Sequence, residues 1–225
     1  MNYKSIAIDG PSGAGKSTLA KKLAEELGFL YVDTGAIYRT VGLYAFRNNI
    51  SSTDAAGVTA LLKNIKIDLR HGGDGLQHMF LGGTDVTDEI RRHEISKYAS
   101  DVSAVPAVRA FLLDMQRSLA RTHNVIMDGR DIATVVLPQA DVKLFLTASP
   151  EVRAERRYLE LKEKGNTADY ETVLSDLKQR DFNDSTRTEA PLRQAEDAIL
   201  VDTTDYTLKE SFRVMLDLIR ERLAT

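Results

Sequence analysis

The most informative segment of the sequence is Ile6-Ala-Ile-Asp-Gly-Pro-Ser-Gly-Ala-Gly-Lys-Ser17-Thr18. It contains Gly10-x-x-x-x-Gly15-Lys16-Ser17, the spacing of a phosphate-binding P-loop. The preceding run, Ser5–Ile8, is typical of a short buried strand, and the apolar residues that follow the loop recur at helical spacing up to Gly28. Because strand, glycine loop and helix are the context that this motif needs, we predict that the chain binds a nucleoside triphosphate.

Each residue type in this loop has a chemical reason to be there. The glycines allow the backbone to curl so that successive N–H groups point inward, where the helix N-terminus adds partial positive charge. Lys16 is expected to reach the β- and γ-phosphates and to act in catalysis, and the Ser17 hydroxyl to help hold Mg²⁺. The residues predicted to bind the triphosphate are Gly10, Pro11, Ser12, Gly13, Ala14, Gly15, Lys16, Ser17 and Thr18.

The composition argues against several other classes of protein. The chain has 225 residues, no cysteine and a net charge of −3, so it has no disulfide or thiolate chemistry and no sign of a basic surface for nucleic acid. No apolar run approaches the length of a membrane span, and the first residues lead straight into a strand instead of a signal peptide. We therefore expect a cytoplasmic protein that binds neither nucleic acid nor a membrane, and we expect it to act as a monomer.

The order of the predicted elements favours an α/β fold. Short apolar strands alternate with helices along most of the chain, which is typical of a parallel sheet covered by helices on both faces. One stretch departs from this pattern. The alternating runs Ile65–Leu69 and Leu76–Leu81 are joined by Arg70-His-Gly-Gly-Asp-Gly75, which predicts a small inserted antiparallel β piece.

Two further expectations concern the segment after this hairpin. A turn over Gly82–Asp85 is predicted to lead into a third short strand. Thr87 or Asp88 is predicted to cap a helix that runs to about Ala104.

Acidic residues collect where the predicted parallel strands end. Asp9 follows the first strand, Asp33 the second, and Asp128-Gly-Arg-Asp131 a later one. Ligands of open parallel sheets bind beyond these carboxyl ends. Asp128 resembles the acidic residue that helps hold Mg²⁺ in P-loop proteins, although a role as turn former or helix cap is an equal alternative from the motif alone.

Arginines are the next signal. Arg180, Asp184 and Arg187 lie at i, i+4 and i+7, so that one face of a helix presents all three, and Arg153, Arg156 and Arg157 share a side of another helix. Each taken singly is an ordinary solvated surface charge. Their number beside a P-loop favours phosphoryl transfer, which needs positioning and charge neutralisation by forked guanidinium groups.

Four motifs in this order resemble the bacterial cytidylate kinases: Gly10-Pro-Ser-Gly-Ala-Gly-Lys-Ser17, Asp33-Thr-Gly-Ala-Ile-Tyr-Arg39, Asp128-Gly-Arg-Asp131 and Arg180-Asp-Phe-Asn-Asp-Ser-Thr-Arg187. The resemblance runs nearly end to end and includes the hairpin insertion. It implies a P-loop kinase fold as a single domain over residues 1–225, with an inserted monophosphate-binding subdomain at about 36–105 and a short mobile lid at about 151–169. It also implies transfer of the γ-phosphoryl group from ATP, with Mg²⁺, to CMP or dCMP.

The resemblance further implies roles for individual residues. The positions that read cytosine in the family match Ser100, Arg109 and Asp131. Those around the acceptor phosphate match Thr34, Arg39, Arg130 and Arg187, and those at the ribose match Arg180 and Asp184. The lid arginines match Arg153, Arg156 and Arg157, of which Arg153 and Arg157 join Lys16 and Arg130 as expected catalytic residues. Asn183 stands where the family often has a basic residue.

Two other functions remain open at this point. A uridylate- or shikimate-type kinase would keep the P-loop and bind another acceptor, and a non-catalytic ATP sensor would bind ATP without transferring a phosphoryl group. The abundance of arginines argues against a sensor. The sequence has no Asn-Lys-x-Asp motif, which disfavours a GTPase.

Overall fold

The computed structural model describes residues 3–72, 77–163, 165 and 167–224. In chain order the elements are β1 (Ser5–Asp9), α1 (Lys16–Leu27), β2 (Leu30–Asp33), α2 (Thr34–Arg47), α3 (Ala55–Leu61), β3 (Ile67–His71), β4 (Gln77–Leu81), β5 (Thr84–Asp85), a 3-10 turn (Glu89–Arg91), α4 (His93–Ser103), α5 (Pro106–Thr122), β6 (Val125–Gly129), a π-helical turn (Ile132–Val136), β7 (Val142–Thr147), α6 (Pro150–Glu163), α7 (Tyr170–Thr186), β8 (Ile199–Asp202) and α8 (Leu208–Ala224).

The chain divides into two compact units. One comprises Met1–Leu30 together with His123–Thr225, and the other comprises Tyr31–Thr122. Within the described ranges, no helix is both long and apolar enough to cross a membrane.

The larger sheet is parallel and has the strand order β2-β6-β1-β7-β8, of which β1, β6, β7 and β8 belong to the first unit. Strand β1 runs parallel to both β6 and β7, with Asp9 opposite Gly129, and β7 runs parallel to β8. Ile6, Ile8 and Leu144 are fully buried, as expected for strands covered on both faces. The predicted parallel α/β sheet flanked by helices is confirmed, and the carboxyl ends of β1 and β6 lie side by side.

The second unit contains the small antiparallel sheet, in the order β3-β4-β5. Its predicted hairpin is present, although residues 73–76, which include part of the predicted connecting loop, lie outside the described residues. Gly82 and Gly83 both have positive φ, 59° and 87°, as a tight primed turn requires. The turn is therefore shorter than predicted, and the third strand occupies Thr84–Asp85, within the stretch that we assigned to the turn.

The predicted helix from residue 88 to Ala104 is wrong in its first part. A 3-10 turn comes first, Arg92 adopts an extended conformation with φ −60° and ψ 150°, and α4 begins only after it. The predicted caps are not used. The Thr87 hydroxyl accepts a hydrogen bond from the Met79 N–H at 3.0 Å, and Asp88 makes no side-chain capping bond. The contact with β4, eight residues earlier in the chain, thus competes with the helix signal.

Candidate active site

The P-loop connects β1 to α1 through three glycines with positive φ, Gly10, Gly13 and Gly15. Gly15 is the N-cap residue of α1 in the left-handed conformation. A Cβ at Gly10 would collide with the Leu146 carbonyl oxygen of β7, so only glycine fits there. These conformations give the loop the inward-curled backbone that the motif predicts.

Lys16 is buried at the start of α1, and its ammonium group donates to the Pro11 carbonyl oxygen at 2.7 Å. Burial lowers the pKa of Lys16 well below its usual value, and the positive charge of Arg130 lowers it further. Asp128, Asp9 and Asp184 act in the opposite direction. Lys16 is therefore buried among three carboxylates, with the Pro11 carbonyl oxygen as its hydrogen-bond acceptor.

The predicted metal ligands lie together. The Ser17 hydroxyl donates to Oδ2 of Asp128 at 2.8 Å, with Asp128 buried at the end of β6. Among the described residues, no group of three or more His, Cys, Asp and Glu side chains could hold a metal ion. This donor set fits Mg²⁺, which usually takes one or two protein oxygens and completes its shell with water and substrate phosphates.

Arg130, Arg180 and Arg187 surround the buried carboxylate of Asp184, which is only 5% exposed. The Nε atom of Arg130 lies 2.7 Å from Oδ2 of Asp184. Burial alone would raise the pKa of Asp184, but the three guanidinium groups outweigh it and hold the pKa below its usual value. The structure therefore brings three guanidinium groups to the Asp184 carboxylate, with Asp131 beside Arg187. Guanidinium groups can bind phosphate through two parallel hydrogen bonds.

Asp131 begins the π-helical turn that follows β6. One of its carboxylate oxygens lies 3.5 Å from Nη2 of Arg187, whose Nε donates to the Ala190 carbonyl oxygen. Asp131 makes no side-chain bond to the N–H groups of its own turn. Those groups are bound by Asp9 instead, which accepts from the Ile132 and Ala133 N–H groups, both at 2.8 Å.

The three arginines that the sequence predicts for a lid differ strongly in their surroundings. Arg153 is 3% exposed and donates to the carbonyl oxygens of Ala148 and Ser12, each at 2.8 Å. It also pairs with Asp181 of α7 at 2.7 Å. Arg153 thus holds the outer side of the P-loop.

The other two are less enclosed. Arg156 donates to the Thr203 carbonyl oxygen at 2.8 Å, whereas Arg157 contacts Glu160 on its own helix, with a side chain that is 38% exposed.

In the second unit, Asp33 and Thr34 lie at the junction of β2 and α2. Asp33 caps α2 through the Ala36 N–H, and its other oxygen lies 3.0 Å from Nη2 of Arg39. The helix start and the predicted phosphate-binding arginine are therefore organised by one carboxylate.

The two predicted base-reading residues of this unit are linked through Ser103. The Ser103 hydroxyl donates to the Ser100 carbonyl oxygen at 2.7 Å, and the Ser103 carbonyl oxygen accepts from Arg109 at 3.2 Å. The Arg109 guanidinium also lies 5.5 Å from the centre of the Tyr38 ring. No motif or spacing in the sequence singles out Ser103 or Tyr38.

The structural roles of Asp9 and Arg153, which are both buried, were not predicted from the sequence. Asp9 is 1% exposed, and burial raises its pKa to about 6 against the opposing effect of its two backbone hydrogen bonds. Its position at a strand end was the one available signal, and it could not reveal a bond to residues 123 positions away.

The parallel sheet, the glycine loop between β1 and α1, and the Ser17–Asp128 pair at adjacent strand ends define a P-loop nucleotide-binding protein of the α/β class. Comparison with known families is more specific. The chain belongs to the cytidylate kinase family, which it matches over residues 6–221.

Several curated relatives span almost the whole chain. The cytidylate kinase of Caldicellulosiruptor bescii is 52% identical over 218 residues, which cover 97% of this chain and 96% of the relative. The cytidylate kinase of Caldanaerobacter subterraneus subsp. tengcongensis is 52% identical over 216 residues, which cover 96% and 94%.

A solved structure of an uncharacterized protein from Eubacterium ventriosum covers 98% of each chain with a TM-score of 0.50. At 14% identity this last likeness concerns the fold alone.

Proposed function

We propose that this protein transfers the γ-phosphoryl group of ATP to CMP and dCMP, giving ADP and the nucleoside diphosphate. The observation that carries the proposal is membership of the cytidylate kinase family over residues 6–221, with curated cytidylate kinases about half identical over nearly the full chain. The alternatives, a uridylate- or shikimate-type kinase and a non-catalytic ATP sensor, are not favoured by these relatives.

The donor side of the reaction belongs to the P-loop. Backbone N–H groups of residues 10–18 would bind the triphosphate, and Lys16 would leave the Pro11 carbonyl oxygen for the β- and γ-phosphates. Mg²⁺, held by Ser17 and Asp128, would supply charge neutralisation at the donor phosphates. Arg153 would support the loop through its bond to the Ser12 carbonyl oxygen. Arg157 is the lid arginine that we assign to neutralising charge on the transferred phosphoryl group.

On the acceptor side, the residues assigned to the monophosphate are Thr34, Arg39, Arg130 and Arg187. Arg180 and Asp184 are assigned to the ribose, and Asp131, with Ser100 and Arg109, to cytosine. A carboxylate is the natural acceptor for the N4 amino group of cytosine, which uracil lacks.

No general base is needed for this reaction. A phosphate monoester has a second pKa near 6 and is a dianion at neutral pH, so its oxygen can attack the γ-phosphorus directly. The bond from that phosphorus to the β,γ-bridging oxygen breaks, and ADP leaves. The protein has to position two anions in line and neutralise them, which is what the guanidinium cluster around Asp184 is suited to do.

Three structural statements belong to the same proposal. The unit Tyr31–Thr122 is proposed to include the monophosphate-binding subdomain, predicted from the sequence at about 36–105. Residues 151–169 are proposed to close as a lid, of which 164 and 166 lie outside the described residues. The protein is proposed to act as a monomer, which sedimentation velocity would test.

A coupled ADP-release assay with CMP, dCMP, UMP, AMP and shikimate tests the activity. We expect the fastest turnover with CMP or dCMP and no ADP release above background without an acceptor. Fastest turnover with another acceptor would refute the choice of substrate, and ATP binding without any acceptor-dependent release would favour the sensor. As a matched variant, Asp131→Ala should lower kcat/KM for CMP more than for UMP.

A further inference from the structure

Asp9, which directly precedes the P-loop, binds the turn that follows β6. Its two carboxylate oxygens each bind one of the first two N–H groups of the π-helical turn Ile132–Val136. N–H groups at the start of a helical turn have no partner within the turn, and the side chain of the residue that begins the turn normally binds the second or third of them. That residue is Asp131, and aspartate is among the best residues for the task.

Asp131 nevertheless does not cap its turn. Its side chain makes no capping hydrogen bond, and one of its oxygens lies 3.5 Å from Nη2 of Arg187. Asp9 has taken over the capping from the neighbouring strand, where parallel pairing of β1 with β6 sets Asp9 opposite Gly129. Asp9 therefore makes the capping bonds, and the Asp131 side chain is not used for them.

We infer that Asp9 is a positioning residue for base recognition: by capping the turn in place of Asp131, it leaves the Asp131 carboxylate oriented toward the acceptor nucleotide. The inference rests on the proposed function, in which Asp131 reads cytosine. Without Asp9, the Asp131 side chain gains by rotating onto the vacated Ala133 N–H group, which is the second of the turn. Molecules with Asp131 rotated would bind nucleotide but would no longer offer an acceptor to the N4 amino group.

Asp9 is itself held firmly. It is 1% exposed, it ends a strand that is paired on both sides, and the next residue, Gly10, packs its backbone against Leu146. The Asp9 carboxylate is thus fixed at the start of the P-loop. The turn Ile132–Val136 is therefore held by the same strand that carries the P-loop.

The test compares Asp9→Ala and Asp9→Asn with the wild type by measuring kcat/KM for CMP and for UMP at the same saturating ATP concentration. The ratio of the two constants cancels effects on ATP, because both acceptors use the same donor. We expect the CMP-to-UMP ratio to fall about fivefold in Asp9→Ala, the population change set by one capping interaction of ~1 kcal/mol. Asp9→Asn keeps one acceptor oxygen, so its CMP-to-UMP ratio should lie between those of the wild type and Asp9→Ala.

Two controls separate positioning from a general structural role. Asp141→Asn removes a carboxylate that binds the Ser5 N–H at 2.8 Å at the other end of β1, and it should lower the melting temperature without changing the ratio. In the double variant Asp9→Ala/Asp131→Ala, the ratio should fall no further than in Asp131→Ala alone, because no carboxylate remains to be diverted.

Several outcomes would overturn the inference. Equal losses of kcat/KM with both acceptors, or an additional fall of the ratio in the double variant, would make Asp9 merely structural. Failure of both Asp9 variants to fold would lead to the same conclusion. If the wild type does not prefer CMP, or if Asp131→Ala keeps the preference, the proposed function fails instead, and the wild type and Asp131→Ala alone reveal this.

Discussion

Arg153 and Arg157 give the sharpest prediction, because the sequence predicts the same lid role for both and the structure gives them different surroundings. Replacing Arg153 by alanine removes contacts to Asp181 and to the Ser12 and Ala148 carbonyl oxygens. Breaking a buried ion pair costs ~3–5 kcal/mol. We expect the lower end for Arg153→Ala, ~3 kcal/mol, because Asp181 is 23% exposed and can regain water.

For a chain of this length, ~3 kcal/mol corresponds to a fall in melting temperature of about 10 °C. Arg157→Ala should change the free energy of unfolding by less than ~0.5 kcal/mol, since its partner is Glu160, three residues away on an exposed helix face. If Arg157 meets the transferred phosphoryl group as proposed, the same variant should lose about 100-fold in kcat. Arg153→Ala should therefore lose stability, whereas Arg157→Ala should lose turnover and keep its stability.

The measurement is urea unfolding followed by far-UV circular dichroism, since the chain has no tryptophan, together with the coupled ADP-release assay. Arg153→Lys is the matched control: one ammonium group restores the charge beside Asp181 but cannot reach all three acceptors, so its stability should be intermediate. Wild-type stability of Arg153→Ala would refute the reasoning. A stability loss in Arg157→Ala as large as in Arg153→Ala would refute it as well.

Three further predictions follow from the P-loop and its neighbours. Lys16→Met should lower kcat at least ~100-fold while costing little stability, because the buried ammonium with its depressed pKa is itself unfavourable to bury; activity and melting curves check both. Gly10→Ala should give little folded protein, since the new Cβ would collide with the Leu146 carbonyl oxygen, and soluble yield and circular dichroism would show it. The raised pKa of Asp9, about 6 when folded against 3.8, means that the folded state binds the extra proton between these values. Stability from Asp9 should therefore fall as pH rises from about 4 to 6, by up to ~3 kcal/mol, and Asp9→Asn should lack this part of the pH dependence in urea titrations.

Most of the fold could be predicted from local patterns. Apolar runs such as Ser5–Ile8 marked the parallel strands, and Gly28 ends α1 in the left-handed conformation that its residue type favours. The hairpin could be predicted for the same reason, since alternation of polarity is a property of neighbouring residues. The start of the helix before Ala104 could not, because Thr87 is bound by Met79 of β4 and Arg92 is extended, and neither is apparent from helical periodicity.

The site could be predicted only where a motif carries its own geometry. The P-loop and the Ser17–Asp128 pair lie as the motif indicates. The contacts of Asp9 with Ile132 and of Arg153 with Ser12 span more than a hundred residues, and nothing in the local sequence reports such pairs. The family resemblance identified the arginines. It could not indicate that Arg153 donates to carbonyl oxygens while the Arg157 side chain is partly exposed.

The side chain of Gln77 shows what the inserted sheet contributes. Its amide oxygen accepts from the Asp33 N–H at 2.8 Å and its amide nitrogen donates to the Asp33 carbonyl oxygen at 3.1 Å, so a side chain imitates a partner strand for one residue. Asp33 in turn orients both the start of α2 and Arg39. A shortened protein without the hairpin would lose both hydrogen bonds between Gln77 and Asp33. A minimal version would therefore first need another amide side chain at that place.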